Sequence, residues 1–584
     1  MSESDTGSAA KVEGQEEASP RNVPEEKRCP VGMFEGGACG RPVYNTPVGV
    51  DGELVCLMHS SDPNKDQGAF WEEFERILKL AGEGIADFSG FVFPEADFRD
   101  RTFTPRCIFR GAMFTRRANF LGAMFTQEAD FWRATFKQKT VFGAATFTQE
   151  ANFSQATFTQ RADFGGATFT QSADFSSAQF SQRTDFSYSR FAQIARFTEA
   201  EFGQIASFSN AKFENYCSFS QTTFRGTAFR QATFTQGASF GGATFTQGAD
   251  FFGATFTQRA NFAWATFTQR ANFLLAKFTQ GANFARATFT KGADFTEARF
   301  TQEADFRRAT FTEEAEFRET VFPKQENDSD RPGAVFTLAR FEKPEEVIFY
   351  QTDLSRVLFH NCDVSKFLFS NVTWRKRPGN DKNMVFDEVV SLENENPSAL
   401  RLPEDSPDER NYSLVAELYQ QLKKNYDDRR DYWTAGDFHY GEMELKRQSS
   451  RRRNPLLRWW HRNLGLAAWY KYASEYGENY LRPVGWLLVV VALLAYLFPM
   501  AGLSPRISLQ APYQNVLASA TPKLGYWQVL DHSLLTALSV AAFQREFVYE
   551  PIYPWGLILR LLELPLTSTL LALFLLAVRR HCRR

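Results

Sequence analysis

The stretch A-N-F-S-Q-A-T-F-T-Q-R-A-D-F-G-G-A-T-F-T-Q-S-A-D-F, residues 151–175, decides the fold. Its phenylalanines, Phe153, Phe158, Phe164, Phe169 and Phe175, stand alternately five and six residues apart. The same beat runs outward in both directions. Phe109, Phe120, Phe131, Phe142 and their successors to Phe219 recur every eleven residues, and a second series from Phe114 to Phe224 falls between them. Phe88, Phe93, Phe98 and Phe103 open the pattern at steps of five. It slips once, at Phe224, Phe229 and Phe234, then resumes at Phe240 and holds through Phe251, Phe262 and Phe273 to Phe317. This beat accounts for 61 Phe beside only 18 Tyr and 11 Trp in 584 residues.

An eleven-residue period fits three turns of a helix. Steps of five and six, however, place successive Phe about 140° and 240° round a helix, so they share no face. Thr, Gly, Asn and Asp at this density also disfavour helix interiors. Short extended segments with turn residues at the corners satisfy both constraints, and stacking them gives a solenoid. The units A-D-F-S-G (86–90), A-D-F-R-D (96–100), A-T-F-T-Q and A-N-F-S-Q resemble pentapeptide repeats. That resemblance implies a right-handed quadrilateral β-helix over residues 86–323, with the central Phe and the residue two before it pointing inward. It picks up again within 324–376, where Phe349, Leu354, Phe359, Val364, Phe369 and Trp374 are five apart. The expected core includes Phe109, Phe120, Phe131, Phe164, Phe175, Phe240, Phe251, Phe262 and Phe273. Alternating steps make a coil of about 22 residues, longer than the family's usual one, which predicts a one-residue bulge at two corners. About eleven coils make a main rod roughly 50 Å long. Cys107, Cys217 and Cys362 each stand two before a central position and are expected to be buried packing.

The flanks differ in character. Residues 1–27 have no apolar run and are expected to be disordered. They show no signal-peptide pattern, and seven cysteines beside that absence point to a reducing compartment. Residues 28–66 offer Cys29, Cys39, Cys56 and His59. Cys56 and His59 have knuckle spacing, and three thiolates with an imidazole suit tetrahedral Zn2+. A structural zinc in a small, core-poor module is the expected cofactor, against the alternative of free thiols on a loop domain. In 67–85 the residues Phe70, Trp71, Phe74, Ile77 and Leu78 recur at helical spacing and predict a helix that caps the open edge of the solenoid.

Lys and Arg number 66 against 68 Asp and Glu, so no global field favours nucleic acid. His360, His439, His461, His532 and His581 fall in no triad or metal-ligand spacing, and the chain is not expected to be an enzyme.

After a linker at 377–410, residues 411–447 predict two packed helices with a break near Gly436. Residues 448–482 are basic and Trp-rich, with Arg451, Arg452, Arg453, Arg458 and Arg462 interleaved with Trp459, Trp460 and Trp469, an interfacial pattern. Apolar runs at 483–504 and 555–579 are each expected to span a membrane. Arg560 and Glu563, three apart on the second, are expected to pair or to line a polar interior. Basic clusters outside both runs, including the tail 580–584, place both termini and the solenoid in the cytosol and 505–554 outside, in an inner membrane. Residues 532–543 have the length of a re-entrant helix. The helices of 411–447, with S-E-Y-G-E-N-Y-L-R-P (474–483), are similar to the juxtamembrane segment of bacterial pentapeptide-repeat proteins that end in a membrane domain. Span, short helix and span together resemble a two-helix potassium-channel pore, with Ser539-Val-Ala-Ala-Phe-Gln-Arg545 in place of a T-V-G-Y-G filter. The expected function is a membrane-anchored scaffold or sensor that holds an unidentified protein partner at the bilayer. The alternative is a homo-oligomeric, channel-like protein regulated by its solenoid.

Overall fold

The computed structural model describes residues 28–34, 36–44, 54–323, 331–393, 412–448, 455–501, 503–505, 527, 549–551 and 554–583. The disordered tail expected at 1–27 and the re-entrant helix expected at 532–543 lie outside the described residues. The chain divides into two units, Met1–Pro323 and Lys324–Arg584.

In the first unit each coil carries four short strands, for example Ala151–Asn152, Thr157–Phe158, Ala162–Asp163 and Thr168–Phe169. Each pairs in parallel with its copy one coil on: Ala151 with Ala173, Thr157 with Gln179, Ala162 with Thr184, Thr168 with Arg190. The coil is thus 22 residues long. Eleven coils of this kind, two of them a residue shorter, run from Ile85–Asp87 to Ala304–Asp305, and the second unit holds two more, at Ala334–Val335 and Val357–Leu358, about 13 in all.

The two-residue alternation of a strand sends Phe inward and its Thr or Asp neighbour outward. Phe164 is fully buried and lies face to face with Phe142 and Phe186, at 5.0 and 4.7 Å between ring centroids. The Ala two positions before each Phe is buried as well, and Cys107 and Cys217 occupy that slot at 0% exposure. Burial pushes both thiols up, as it does Cys362 in the second unit, so none is a reactive thiolate.

The corners explain the alternating step. Five-residue corners close through a turn whose second residue is left-handed, such as Gln155 at φ 56° and Gly166 at φ 69°, with Ala156 N–H donating to Phe153 O at 3.1 Å. Six-residue corners hold the extra residue, and there the Thr hydroxyl ties coil to coil: Thr148 Oγ1 donates to Phe125 O (2.9 Å) and Thr126 O (2.7 Å). Asp and Asn accept from the backbone two residues on, as Asp163 Oδ1 does from Gly165 N–H at 3.0 Å, and so work as turn formers. At the slip one corner residue is missing. There Thr223–Ala228 runs as one strand across two faces and pairs with Glu201–Ser207, whose register shifts between Phe202 and Ile205.

Helix α1, Gln67–Ala81, caps the N-terminal edge. Asp66 accepts from Ala69 N–H at 3.0 Å to start it, and Phe74 stacks on Phe88 at 4.6 Å. Among the described residues of the second unit the α-helices are α2 (Phe386–Glu393), α3 (Tyr412–Asp428), α4 (Tyr432–Gln448), α5 (Pro455–Leu464), α6 (Leu466–Ser474), α7 (Leu481–Ala501) and α8 (Pro554–Arg583). Asn425 of α3 donates to Val364 O (3.0 Å) and Phe367 O (2.9 Å), supplying the strand edge with donors that a next coil would have given. The break between α3 and α4 falls at Arg429–Asp431, not at the expected Gly436. Arg430 is left-handed (φ 64°) and the Asp431 carboxylate accepts from Thr434 N–H at 3.1 Å. Gly436 lies inside α4, and Gly441 marks close approach: a Cβ there would sit 2.6 Å from the Tyr419 ring.

Part of the expected linker is also folded. Arg377 clasps Glu388 through two bonds of 2.5 and 2.6 Å, and Phe386, Val389 and Val390 of α2 pack on Val335 and Leu358. Asp387 is fully buried, accepting from Phe359 N–H at 3.1 Å; burial pushes its carboxyl up from 3.8 to about 7, opposed by its backbone bonds. The folded state therefore binds more protons than the unfolded between those values, so stability falls as pH rises through that window and is flat above it. Asp387→Asn should remove this slope. Its advantage over the parent should grow from nothing near pH 4 to a plateau above pH 7, bounded by about 4 kcal/mol, in urea unfolding across that range.

Candidate functional site

The four candidate metal ligands come from three short backbone devices. A hairpin sets Cys29 across from Cys39: Cys29 N–H donates to Arg41 O at 2.8 Å and Cys39 N–H to Val31 O at 2.7 Å. Its tip turns through Gly36 and Gly37, both at positive φ. A bridge from Val43 to Cys56 brings the second segment alongside. A tight turn, with His59 N–H on Cys56 O at 3.0 Å, then folds the imidazole back over its own cysteine.

Their donor atoms all lie within 4.8 Å of one another. Cys39 Sγ is 3.8 Å from Cys56 Sγ, and His59 Nδ1 is 3.2 Å from Cys56 Sγ and 3.4 Å from Cys29 Sγ. A tetrahedral zinc with bonds of about 2.3 Å to sulfur and about 2.0 Å to nitrogen needs edges of about 3.8 and about 3.5 Å, so the residues fit the ion. The imidazole is also oriented for it. His59 Nε2 faces Ser89 O at 2.9 Å, which places the ring proton on Nε2 and leaves the Nδ1 lone pair for the sulfurs. Hydrogen bonding from the Cys56 thiol draws Cys39 well below the ordinary thiol range, with His59 and Arg41 adding to it against burial; the same bond and burial push Cys56 up. Arg41 reaches Cys39 Sγ at 3.2 Å and pairs with Glu73 of α1 at 2.9 Å, linking the cluster to the cap.

The module sits on the first coil. Val92 N–H donates to Met58 O at 2.8 Å, and the His59 ring meets Phe91 edge-on at 5.1 Å. The Asp87 carboxylate accepts from Phe34 N–H at 2.8 Å. Lys65, which sequence reasoning missed, is 5% exposed and points its ammonium at Leu57 O (3.1 Å), Ser60 O (2.9 Å) and Val92 O (2.5 Å). A lysine two residues before a helix carries no sequence signal for such a staple.

At the other end of the chain, one helix among the described residues is long and apolar enough to cross a membrane, Pro554–Cys582, and Leu481–Leu494 is a shorter apolar one. Glu563, Thr567, Leu570 and Ala577 form a buried stripe along α8, and Val491 and Leu494 are buried on α7. The Arg560 side chain lies outside the described residues, so the expected partner of Glu563 does too. Pro565 stands inside α8, and the hydroxyls of Thr567 and Thr569 turn back to the carbonyls of Glu563 (2.8 Å) and Pro565 (2.6 Å).

Stretches of the solenoid match the family described as pentapeptide repeats (9 copies), at residues 120–168, 131–179, 164–212, 208–255, 251–299 and 275–321. No curated protein and no solved structure matches the chain.

Proposed function

Since residues 120–321 are pentapeptide repeats folded as a β-solenoid, we propose that this chain is a membrane-anchored scaffold or sensor. Its solenoid offers polar walls to a protein partner, and its C-terminal helices hold it at the bilayer. The observation that carries the reading is Pro554–Cys582, long and apolar enough to cross a membrane, on the same chain as a solenoid with a Phe-stacked core. The fuller form of the proposal has two spans, 483–504 and 555–579, with the solenoid and both termini in the cytosol. Zinc held by Cys29, Cys39, Cys56 and His59 is structural in this reading, fastening the cap.

Leu564→Arg with Leu566→Arg, both exposed on α8 beside the midpoint of the 555–579 span, tests the anchor. Each costs about 2.5 to 3.5 kcal/mol at the centre of a membrane helix. The double variant should move from the carbonate-resistant membrane fraction to the supernatant while the parent stays behind; a parent that washes off sinks the anchor.

A second reading, an oligomeric channel-like protein with the solenoid as regulator, draws on Glu563, a carboxylate buried on the membrane-crossing helix. Planar-bilayer recording separates the two. A conductance abolished by Glu563→Gln favours the channel, and silence at every tested voltage removes it.

A further inference from the structure

Helix α5 is folded inside out for a protein in water. Its apolar residues Leu456, Leu457, Trp459, Trp460 and Leu464 occupy one arc of about 160°. A surface helix of a globular protein turns such an arc to the core. Here all five are exposed, at 73, 50, 55, 59 and 42%. On the other side of the helix the Arg462 edge is held by protein. Arg462 donates to Gln448 O through Nε (3.1 Å) and Nη2 (2.7 Å), and Arg447 Nη1 donates to Arg462 O at 2.6 Å, riveting that edge to the C-terminal end of α4. Asn463, the one polar residue within the apolar arc, donates to Trp459 O at 3.0 Å and so makes its own bond within the helix. The exposed surface continues into α6, where Leu466 is 91% and Trp469 59% exposed.

Charge and continuity name the occupant. Residues 446–482 carry nine Lys and Arg against two Glu, which favours an anionic surface. Tyr472 of α6 accepts from Trp486 Nε1 of α7 at 3.2 Å, so the apolar face runs directly into the apolar helices. Tryptophans beside a basic cluster sit at headgroup depth.

We propose that α5 is an in-plane membrane element of its own, with its polar edge bolted to α4 and its Leu/Trp face sunk at the headgroup–acyl boundary of an anionic leaflet. The proposal rests on the anchoring reading above and adds a second, lateral contact to it. This contact fixes the tilt of the α3–α4 pair against the membrane plane, which crossing helices alone leave free.

The test uses the full chain in phospholipid vesicles. Nitroxides are placed singly at Leu456→Cys, Trp460→Cys, His461→Cys and, as a depth reference on α8, Leu566→Cys, in a Cys582→Ser background that removes the exposed native thiol. Molecular oxygen should relax the labels at 456, 460 and 566 more than a water-soluble nickel chelate does. The order should invert at 461, one residue away on the polar side. Removing phosphatidylserine from the vesicles should shift position 460 towards the nickel chelate. Nickel preference at 456 and 460 with oxygen preference at 566 would overturn the proposal and leave the anchor standing, the face then belonging to a protein partner or another copy of the chain. Nickel preference at all four positions would remove the anchor and this proposal together.

Discussion

Phe164→Ala should lower the unfolding free energy of the solenoid by about 3–5 kcal/mol, the cost of truncating a large aromatic in a core that cannot collapse around the hole. The site offers no slack. Phe164 is stacked between Phe142 and Phe186 and meets Phe153 and Phe175 edge-on at 5.5 and 5.4 Å, while the strands that hold those rings are fixed by coil-to-coil bonds such as Phe164 N–H to Asp185 O at 2.6 Å. Phe103 is the control. It heads its ladder, with one stacked neighbour, Phe125 at 4.6 Å, so Phe103→Ala forfeits one stack where Phe164→Ala forfeits two. Each stack is worth about 0.5–1.5 kcal/mol beyond area burial. Urea unfolding followed by circular dichroism should rank the variants in that order. Equal losses would mean that cavity volume alone, and not the ladder, sets the cost.

Removing the metal should have the largest local effect. Zinc contributes about 10–16 kcal/mol of apparent free energy in small zinc-dependent peptides, far more than the described residues of the 28–66 module can gain from their few buried apolar side chains, Val55 and Met58 among them. Cys56→Ser, or a strong chelator, should release about one zinc per chain and unfold that module. The Val92 amide, which donates to Met58 O, should then exchange with solvent, whereas Phe164 N–H in mid-solenoid should keep its protection. Full-length protein purified without zinc, or a Val92 amide indifferent to chelation, would contradict the assignment.

What was legible in the sequence follows from how each feature is encoded. The solenoid is written in period: one Phe per strand and one small residue two before it, so spacing alone separates it from a helix and even locates the slip at Phe229. The clustering of Cys29, Cys39, Cys56 and His59 was legible because Cys56 and His59 are chained by a short turn. The cluster's docking was not, because the partners are backbone atoms, Ser89 O and Met58 O, whose positions no side chain announces. The helix break was misplaced for a related reason. Glycine in α4 serves packing, where Tyr419 fills the space a Cβ would take, and the chain instead turns at Arg430, a residue with no turn signature. Likewise, the pattern of α5 shows amphipathicity; only its bonds to Gln448 and Arg447 show which side faces the protein.

The self-contained coil makes length a variable that can change without altering surface chemistry. A regular coil closes in 22 residues and bonds only to its two neighbours, so duplication of one coil, such as 153–174, lengthens the solenoid by about 4.8 Å and keeps all outward ladders in line. Duplication of an eleven-residue half-coil would preserve the Phe beat yet turn everything after it by half a circuit. A gene drifting by repeat slippage can therefore reset reach in even steps and facing in odd ones, with the same buried phenylalanines serving both.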